Sequence, residues 1–480
     1  MTRTLDDPAG GDVAANRALP GRAAIASLVG TTIEWYDFYL YATASALVFG
    51  PLFFSSASPA AGVMASFGTY AAGFGARPIG ALLAGHLGDR VGRRSTLVGA
   101  LALMGLATAA IGVLPGYAQA GVWAPLLLVT LRILQGVAVG AEWGGAVLMS
   151  VEHSERLATR RGLFGSFPQI GSPAGMLLAS GVFAVTRISI DRAEFLSWGW
   201  RLPFLFSLVL VAVGLAIRLS LPDPPLYRRA VERSEISPTP LLDVVRTNRR
   251  SLWLTMGLRM SQNALYVLCT TFALTYLAEG KRADAGAGLL AVVACSALGL
   301  VSTGAWALLS DRIGRRPVYL FGAIGATVSS IGFFLLLDTG STVLIVLAMI
   351  ITVNVFHDAM YGPQGAWFTE LFPTGVRYSG TSIGYQFGSV LSGGTAPLIA
   401  SALLIAGGGR PWLIWGYFLI LSALTIISAA LAPETRNASL SAVTSTGTAT
   451  GTSTGTAPRT GESAPAGGGA DHASARSNPR

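Results

Sequence analysis

Charged residues are scarce in this sequence. They make up 12% of the 480 residues, against roughly 25% in soluble domains, while hydrophobic residues make up 52%. Several long runs carry almost no charge, and a helix needs about 20 mostly apolar residues to cross a hydrocarbon core about 30 Å thick. The composition therefore excludes an ordinary soluble protein and indicates one that is embedded in a membrane.

Cysteine is almost absent. Cys269 and Cys295 are the only two, and both lie inside apolar runs, which argues against a disulfide framework or a thiolate metal site. The first twenty residues also lack the apolar core and the cleavage site of a secretory signal. We therefore expect the chain to enter the membrane through its own first helix.

Catalytic and cofactor-binding motifs are missing as well. The sequence has no Walker-type loop, no dinucleotide-binding glycine motif before a helix, no HExxH motif and no paired cysteines, so we expect no enzyme activity, no cofactor and no metal. The formal net charge is +9, but the basic residues lie in turns between apolar runs and form no stripe with aromatic residues. This pattern argues against a nucleic-acid partner.

The apolar runs and the polar breaks between them predict an all-α integral membrane protein with twelve transmembrane helices. The predicted centres are Asp37, Gly73, Gly105, Gly136, Gly175, Leu210, Leu265, Leu298, Thr327, Asn354, Leu391 and Leu421. Arginine and lysine are more frequent in the loops on the side of the N-terminus than in the loops on the other side. The positive-inside rule then places both termini in the cytoplasm.

The sequence also predicts how the chain is divided. Residues 221–250 are basic and broken by proline, which indicates a cytoplasmic connector between two six-helix bundles, 23–220 and 251–436. Residues 1–22 form a short cytoplasmic segment before the first bundle. Residues 437–480 are rich in Ser, Thr, Gly, Ala and Pro and are predicted to be a disordered cytoplasmic tail without a coiled coil.

Two charged motifs occur twice, at nearly the same spacing. The turn GHLGDRVGRRSTLV begins at Gly85 and LSDRIGRRPVYL begins at Leu309, and their aspartates, Asp89 and Asp311, differ by 222 in residue number. An acid-to-arginine turn occurs in 152–161 and again in 370–377, and its acids differ by 218. Duplicated six-helix halves would produce both spacings.

These residues resemble those of a known family. The two charged turns, LRILQG in 131–136 and PETR in 433–436 resemble signature motifs of the major facilitator superfamily. IEWYDFYLY in 33–41, GAEWGGAVLMSVEHS in 140–154 and FLSWGWRLPFLFS in 195–207 are similar to the bacterial metabolite:proton symporters of that superfamily. Within this group, the last of these motifs and TELFPTGVRYSGTSIGYQ in 369–386 favour the carriers of the shikimate type.

The resemblance implies a twelve-helix carrier of the bacterial inner membrane that works by alternating access. Its partners would be a small-molecule substrate, protons and the lipid bilayer, with no obligate protein partner. We expect proton-coupled uptake of a small organic anion such as shikimate, 2-oxoglutarate or a related carboxylate. The turn LPDPPLY after the sixth predicted helix departs from the form found in sugar carriers and disfavours a sugar.

Other functions remain open at this point. A proline- or betaine-type osmolyte symporter is the first alternative, although the tail lacks the coiled coil of osmosensing members. A proton-coupled exporter and a solute receptor with a transporter fold are two more. A membrane-embedded enzyme is disfavoured because no catalytic cluster is present.

The repeated charged turn is the candidate gate. Gly92 suits a tight reversal of the chain, and Asp89 needs a partner that would hold helix ends together until the gate opens. The alternative is that the arginines only fix topology. The predicted gating residues are Gly85, Asp89, Arg90, Gly92, Arg93, Arg94, Asp311, Arg312, Gly314, Arg315 and Arg316.

Acids at membrane depth are the candidate proton carriers, since each costs about 2.5–3.5 kcal/mol to insert and so needs a partner or a function. Asp37 is the predicted main proton carrier, Glu34 shares its helix face, and Arg132 is expected to keep Asp37 ionised until a proton and substrate compete for it. A static buried ion pair is the alternative. His357 and Asp358 form a second candidate, a proton relay.

Two arginines inside apolar runs are the candidate anion ligands, because the planar guanidinium binds a carboxylate through two hydrogen bonds. Arg259 is preferred over Arg77, and the alternative for each is snorkelling to the membrane surface. For the other polar residues a hydrogen bond between helices is an equal alternative to substrate contact. These further predicted substrate-binding residues are Tyr36, Gln169, Tyr266, Asn263, Tyr361 and Gln386. A surface pair between Glu142 and Arg161 is predicted to be structural.

Overall fold

The apolar runs form helices because, in lipid, a helix satisfies every backbone N–H and C=O group within its own segment. A computed structural model of the chain describes residues 9–54, 59–90, 92–154, 159–220, 228, 231–233, 240–279, 285–438 and 440. This part of the chain contains twelve long helices. They are α1 Ala9–Ala44, α2 Pro59–Arg90, α3 Arg93–Gly112, α4 Trp123–His153, α5 Arg161–Ser189, α6 Arg201–Leu219, α7 Arg249–Val267, α8 Ala285–Ile313, α9 Arg315–Asp338, α10 Thr342–Glu370, α11 Thr374–Ala406 and α12 Trp412–Leu431.

The α-helical geometry is interrupted at several places. α10 is π-helical over Ile350–His357, and α11 is π-helical over Val390–Gly394. α1 continues into a π-helix at Ser45–Phe49, and α7 into one at Leu268–Phe272. Such π-helical segments are frequent at functional sites. Shorter elements of the described chain are Gly50–Phe53, Tyr117–Ala120, Arg192–Glu194, the π-helical Phe195–Gly199, Pro240–Thr247 and Ala273–Glu279.

The prediction of an all-α membrane protein is confirmed. Each predicted centre falls inside one of the twelve helices. Within the described residues, nine helices are long and apolar enough to cross a membrane, namely α3 to α6 and α8 to α12. The other three, α1, α2 and α7, carry charged residues of the predicted site, including Asp37, Arg77 and Arg259.

Helix packing follows the sequence repeat. α1 packs against α5, and α7 packs against α11; α2 packs against α4, and α8 against α10; α3 packs against α6, and α9 against α12. We call α1 to α6 the first half and α7 to α12 the second half. The halves meet where α5 packs on α8 and α10 and where α11 packs on α2 and α4.

All twelve helices belong to one compact unit, Met1–Ser445. The second unit, Thr446–Arg480, lies outside the described residues, and with it nearly all of the predicted tail. Of the predicted connector, the structure describes the helix Pro240–Thr247, residues 228 and 231–233, and the start of α7. The proposed boundaries of the two bundles stay predictions.

Candidate functional site

A stack of three side chains crosses the interface between the halves. The ring centroids of Trp143 on α4 and Tyr385 on α11 are 3.4 Å apart, and the rings are stacked. The guanidinium of Arg259 on α7 lies 3.8 Å from the centroid of the Tyr385 ring, and only 2% of Arg259 is exposed. Because an aromatic face attracts a guanidinium, this stack fixes the direction in which Arg259 points.

Neutral groups accept the hydrogen bonds that the Arg259 side chain donates to the described residues. Its Nε donates to Ser389 Oγ at 3.0 Å, and one terminal nitrogen donates to Gln364 Oε1 at 2.9 Å and to Gln262 Oε1. The other terminal nitrogen donates to Asn263 Oδ1 at 3.2 Å. In the part of the chain that the structure describes, no carboxylate forms an ion pair with Arg259. Among the described residues, the site is therefore a buried positive charge without a counter-charge.

A chain of hydrogen bonds leads from Arg259 to an acid. Gln262 Nε2 lies 2.5 Å from His357 Nε2, and His357 Nδ1 lies 2.9 Å from Asp358 Oδ1. Since an amide nitrogen only donates, the imidazole accepts at Nε2 and donates from Nδ1, which is a neutral histidine. Asp358 Oδ2 accepts further bonds from Asn354 at 3.1 Å and from Ser302. These bonds join Arg259, Gln262, His357 and Asp358 in one continuous series.

A small cavity lies beside this chain of bonds. Tyr266, His357, Asp358 and Tyr361 line it from the second half, and Pro173 lines it from the first half. The rings of Tyr266 and Tyr361 lie 4.9 Å and 5.1 Å from the imidazole of His357. The histidine and its acid therefore border a space at the interface between the halves.

Asp37 belongs to a separate network in the first half. Its Oδ2 accepts a bond of 2.7 Å from Thr108, whose hydroxyl accepts one of 2.7 Å from Gln135. The oxygen of Gln135 accepts a bond of 3.1 Å from Arg132, so the two predicted coupling residues are joined through two neutral side chains. Asp37 Oδ1 accepts no hydrogen bond from the described residues.

Two arginines of the first half lie against aromatic rings. The guanidinium of Arg132 is 4.0 Å from the centroid of Tyr41, and that of Arg77 is 4.0 Å from the centroid of Phe74. Arg77 is 6% exposed. The snorkelling alternative is therefore wrong for Arg77, and also for Arg259, because both side chains are buried.

The predicted pair between Glu142 and Arg161 is also wrong. Glu142 forms a buried ion pair with Arg218 near the end of α6, while Arg161 pairs with Glu370 of the second half at 3.4 Å. Glu142 lies within α4, about three turns before the helix ends at His153, whereas Arg161 begins α5 after the loop that follows. Arg218 reaches it because Gly30 on α1 leaves room for the guanidinium.

Two ion pairs join the halves at one end of the bundle. Glu152 at the end of α4 pairs with Arg377 at 3.1 Å, and Glu370 at the end of α10 pairs with Arg161. The two pairs are related by the sequence repeat, since each links the acid of one half to the arginine of the other. We call this end, defined by these four residues, the charged end.

Further bonds reinforce the charged end. Asp311 accepts hydrogen bonds from the backbone N–H groups of Gly162 and Leu163 at 2.7 and 3.0 Å, which places a carboxylate at the N-terminus of α5. Arg315 pairs with Asp311 at 2.7 Å and with Glu370 at 3.3 Å. The charged end is therefore closed in this structure.

A model of the Major Facilitator Superfamily matches residues 27–397. The chain belongs to the major facilitator superfamily. Its helix order and its repeat agree with this family, whose members are transporters and not enzymes. The matched span includes both copies of the charged turn and all the residues of the central stack.

Curated relatives of this transporter are carriers of small metabolites. The shikimate transporter of Escherichia coli (strain K12) is 37% identical over 422 residues, which cover 87% of this chain and 95% of that protein. The inner membrane metabolite transport protein YhjE of the same strain is 38% identical, and the match covers 87% of this chain and 94% of that protein. The proline/betaine transporter of the same strain is 31% identical, and the match covers 88% of this chain and 85% of that protein.

Solved structures share the fold. The proton:xylose symporter XylE bound to 6-bromo-6-deoxy-D-glucose superposes with a TM-score of 0.70 at 18% identity, over 88% of this chain and 97% of that chain. The partially occluded inward-open XylE from E. coli gives a TM-score of 0.62. The major facilitator fold predicted from the sequence is confirmed.

The structure describes the side chains of the transporter's second charged turn more fully than those of the first. Gly92 and Gly314 have positive φ angles of 119° and 113°, as expected for tight turns between α2 and α3 and between α8 and α9. A Cβ atom at Gly85 would lie 2.9 Å from Ser379 of α11, so this glycine allows the halves to approach closely. The side chains of Asp89, Arg90 and Arg93 lie outside the described residues, and their gating role stays a prediction.

The remaining basic residues of these turns lie near the surface. Arg94 donates to the carbonyl of Leu219, while the side chains of Arg312 and Arg316 are exposed. The backbone N–H groups of Arg315 and Arg316 each donate at 3.0 Å to the carboxylate of Glu434 in PETR. The segment after α12 is thereby held against the charged end.

Some predicted substrate-binding residues serve as contacts between helices. Gln169 accepts a bond of 2.8 Å from Trp143 and donates one of 3.2 Å to the carbonyl of Tyr361. Gln386 donates at 3.3 Å to the carbonyl of Val139. The hydroxyl of Tyr36 donates at 2.7 Å to the carbonyl of Pro203 on α6, a contact within the first half.

Sequence reasoning missed several members of the site. Trp143, Thr108, Ser302 and Ser389 all contact the candidate residues. Trp143 stands between glycines in the motif GAEWGGA, which was a usable signal because small neighbours let another helix reach a large ring. Single Ser and Thr residues in apolar helices give no such signal.

Proposed function

We propose that this transporter is a proton-coupled symporter that imports a small organic anion, such as shikimate, 2-oxoglutarate or a related carboxylate. The observation that carries the proposal is the buried guanidinium of Arg259, whose partners among the described residues are neutral. Burying a charge without a counter-charge is unfavourable, and a substrate carboxylate would supply the opposite charge through two parallel hydrogen bonds. The 37% identity to a shikimate transporter supports a carboxylate substrate.

The neighbours of Arg259 suit the rest of such a substrate. Tyr385 lies between Trp143 and Arg259 and holds the guanidinium in place. Gln262, Asn263 and Gln364 offer amide groups that hydrogen-bond to hydroxyl or carbonyl oxygens. Binding would exchange some of the bonds between Arg259 and these amides for bonds to the carboxylate. Tyr266 and Tyr361 would close the site from the side of the cavity.

We assign proton coupling first to Asp37. Its free Oδ1 can take a proton, and its link through Thr108 and Gln135 connects it to the positive charge of Arg132. Glu34 lies on the same face of α1. The relay of His357 and Asp358 is the second route, and it connects directly to Arg259 through Gln262.

We place both termini in the cytoplasm, so that the charged end faces the cytoplasm and is closed to it. The bundles 23–220 and 251–436 would then rock about the central stack, and the pairs of Glu152 with Arg377 and of Glu370 with Arg161 would break when the site opens inward. The protein would reside in the bacterial inner membrane.

A zwitterionic osmolyte is the second candidate, because the proline/betaine transporter of E. coli is 31% identical over most of both chains. Such a ligand also has a carboxylate for Arg259. Its cationic group would lie against the faces of Tyr361 or Trp143, as aromatic faces attract quaternary ammonium groups.

Uptake into proteoliposomes tests the proposal. Labelled shikimate, 2-oxoglutarate, citrate, proline and betaine are offered with an acidic exterior, with and without a protonophore. Accumulation of one acid that collapses with the protonophore supports the proposal, and accumulation of betaine or proline favours the second candidate. Saturable binding without uptake of any compound would point to an exporter or a receptor.

A further inference from the structure

Glu142 lies at the meeting point of several charged side chains. No part of its side chain is exposed, and it is paired with Arg218 of α6. The charge of Glu142 acts on both Glu34 and Asp37 of α1, and Arg77 of α2 acts on Glu34 as well. Among the described residues, Glu142 therefore interacts with Arg218, Glu34 and Asp37.

One oxygen of each glutamate is left without a hydrogen bond. Oε2 of Glu142 and Oε2 of Glu34 have no partner among the described residues, and both side chains are at least nine-tenths buried. Two neighbouring carboxylates repel each other when both are ionised. One proton held by either glutamate would relieve that repulsion.

A small cavity leads from Arg218 toward the charged end. It lies between α1, α3, α4 and α6 and is lined by Ser27, Leu97, Ala146, Met149, Arg94 and Arg218. Arg94 is partly exposed and directly follows the turn at Gly92, whereas Arg218 is buried at the side of Glu142. All of these residues belong to the first half.

We propose that Glu142, together with Glu34, binds the transported proton after Asp37 and passes it toward the charged end through the cavity beside Arg218. This inference rests on the proposed proton coupling. It gives the proton a route inside the first half, separate from the substrate route between the halves. The ion pairs that close the charged end to substrate would therefore not block the proton.

Glu142→Gln tests the inference in the full-length protein, because it keeps the shape of the side chain and removes the proton-binding group. We expect exchange of substrate across vesicles without a pH gradient to persist, and accumulation driven by a pH gradient to be lost. Asp338→Asn is the control, since Asp338 accepts a bond from Tyr276 at the opposite end of the second half; it should retain accumulation. Accumulation by Glu142→Gln equal to that of the wild type would overturn the inference.

A second measurement separates this inference from the proposed function. Infrared difference spectra of the purified protein, recorded between two pH values, show a carbonyl band for each carboxylic acid that gains a proton. Loss or shift of a band in Glu142→Gln, with the rest of the spectrum kept, supports proton binding at Glu142 even if wild-type vesicles accumulate none of the acids. A spectrum identical to that of the wild type rejects proton binding at Glu142 whether or not the protein is a symporter.

Discussion

Glu370 lies 3.4 Å from Arg161, and this pair joins the second half of the transporter to the first. Within its own half, Glu370 also pairs with Arg315 at 3.3 Å and accepts a bond of 2.5 Å from Thr435. Its side chain is 1% exposed. One carboxylate thus holds together two halves, a charged turn and the segment that follows α12.

Replacing this carboxylate should open the charged end. Glu370→Gln leaves Arg161 and Arg315 without its charge, and breaking a buried pair costs about 3–5 kcal/mol. We expect maleimide labelling of Ser382→Cys to become at least about tenfold faster, the equivalent of about 1.4 kcal/mol. Ser382 is fully buried and its hydroxyl faces Gly144 across the interface, so it reacts only when the halves separate.

The matched control for this experiment is Arg249→Gln. Arg249 begins α7 and is exposed, so the substitution removes one charge without touching the ion pairs. The Ser382→Cys protein should be labelled at the same rate with and without Arg249→Gln. An equal labelling rate with and without Glu370→Gln would contradict a gating role for the pair of Glu370 with Arg161.

Gly314 should be needed for stability as well as for the turn. Its φ of 113° is a conformation that costs a residue with a Cβ atom about 1–3 kcal/mol. Gly314→Ala should therefore lower the melting temperature of the detergent-solubilised protein. Gly332→Ala in α9 is the control, because nothing lies within 4 Å of the added Cβ and alanine favours a helix by roughly 0.5–1 kcal/mol. A melting temperature for Gly314→Ala at or above that of Gly332→Ala would refute the expectation.

Arg259→Lys should weaken substrate binding without removing the positive charge. Lysine cannot form two parallel bonds to a carboxylate, and a hydrogen bond to a charged group contributes about 1.5–3 kcal/mol. We expect the Kd for the transported acid, measured by calorimetry in detergent, to rise about tenfold to 100-fold. Arg250→Lys is the control, since Arg250 is exposed and donates to the carbonyl of Leu431. An unchanged Kd would remove Arg259 from the substrate site.

The sequence predicted the fold well because apolar runs and short charged turns are local patterns. Twelve helix centres, the duplication and the family all follow from residues that are close together in the chain. Arg259 and the pair of His357 with Asp358 could also be singled out, because charged groups inside apolar runs need a reason to be there.

Pairings between distant helices could not be predicted in the same way. Glu142 is joined to Arg218 and Arg161 to Glu370 across 76 and 209 residues of chain. Only the packing of α4 and α6 against α1, and of α5 on α10, decides these partners. The link between Asp37 and Arg132 through Thr108 and Gln135 also depends on how distant helices pack. Neutral bridging residues have no sequence pattern that marks them.

Asp37→Asn should separate coupling from transport. Asparagine keeps the bond to Thr108, because its oxygen can accept from that hydroxyl, but it can no longer gain or lose a proton. We expect accumulation driven by a pH gradient to fall to the level seen with a protonophore, while exchange of labelled for unlabelled substrate continues. Asp243→Asn in the helix Pro240–Thr247 lies outside the twelve long helices and should leave both activities in place. Accumulation that persists in Asp37→Asn would shift the main proton site to His357 and Asp358, and His357→Gln would then have to abolish it.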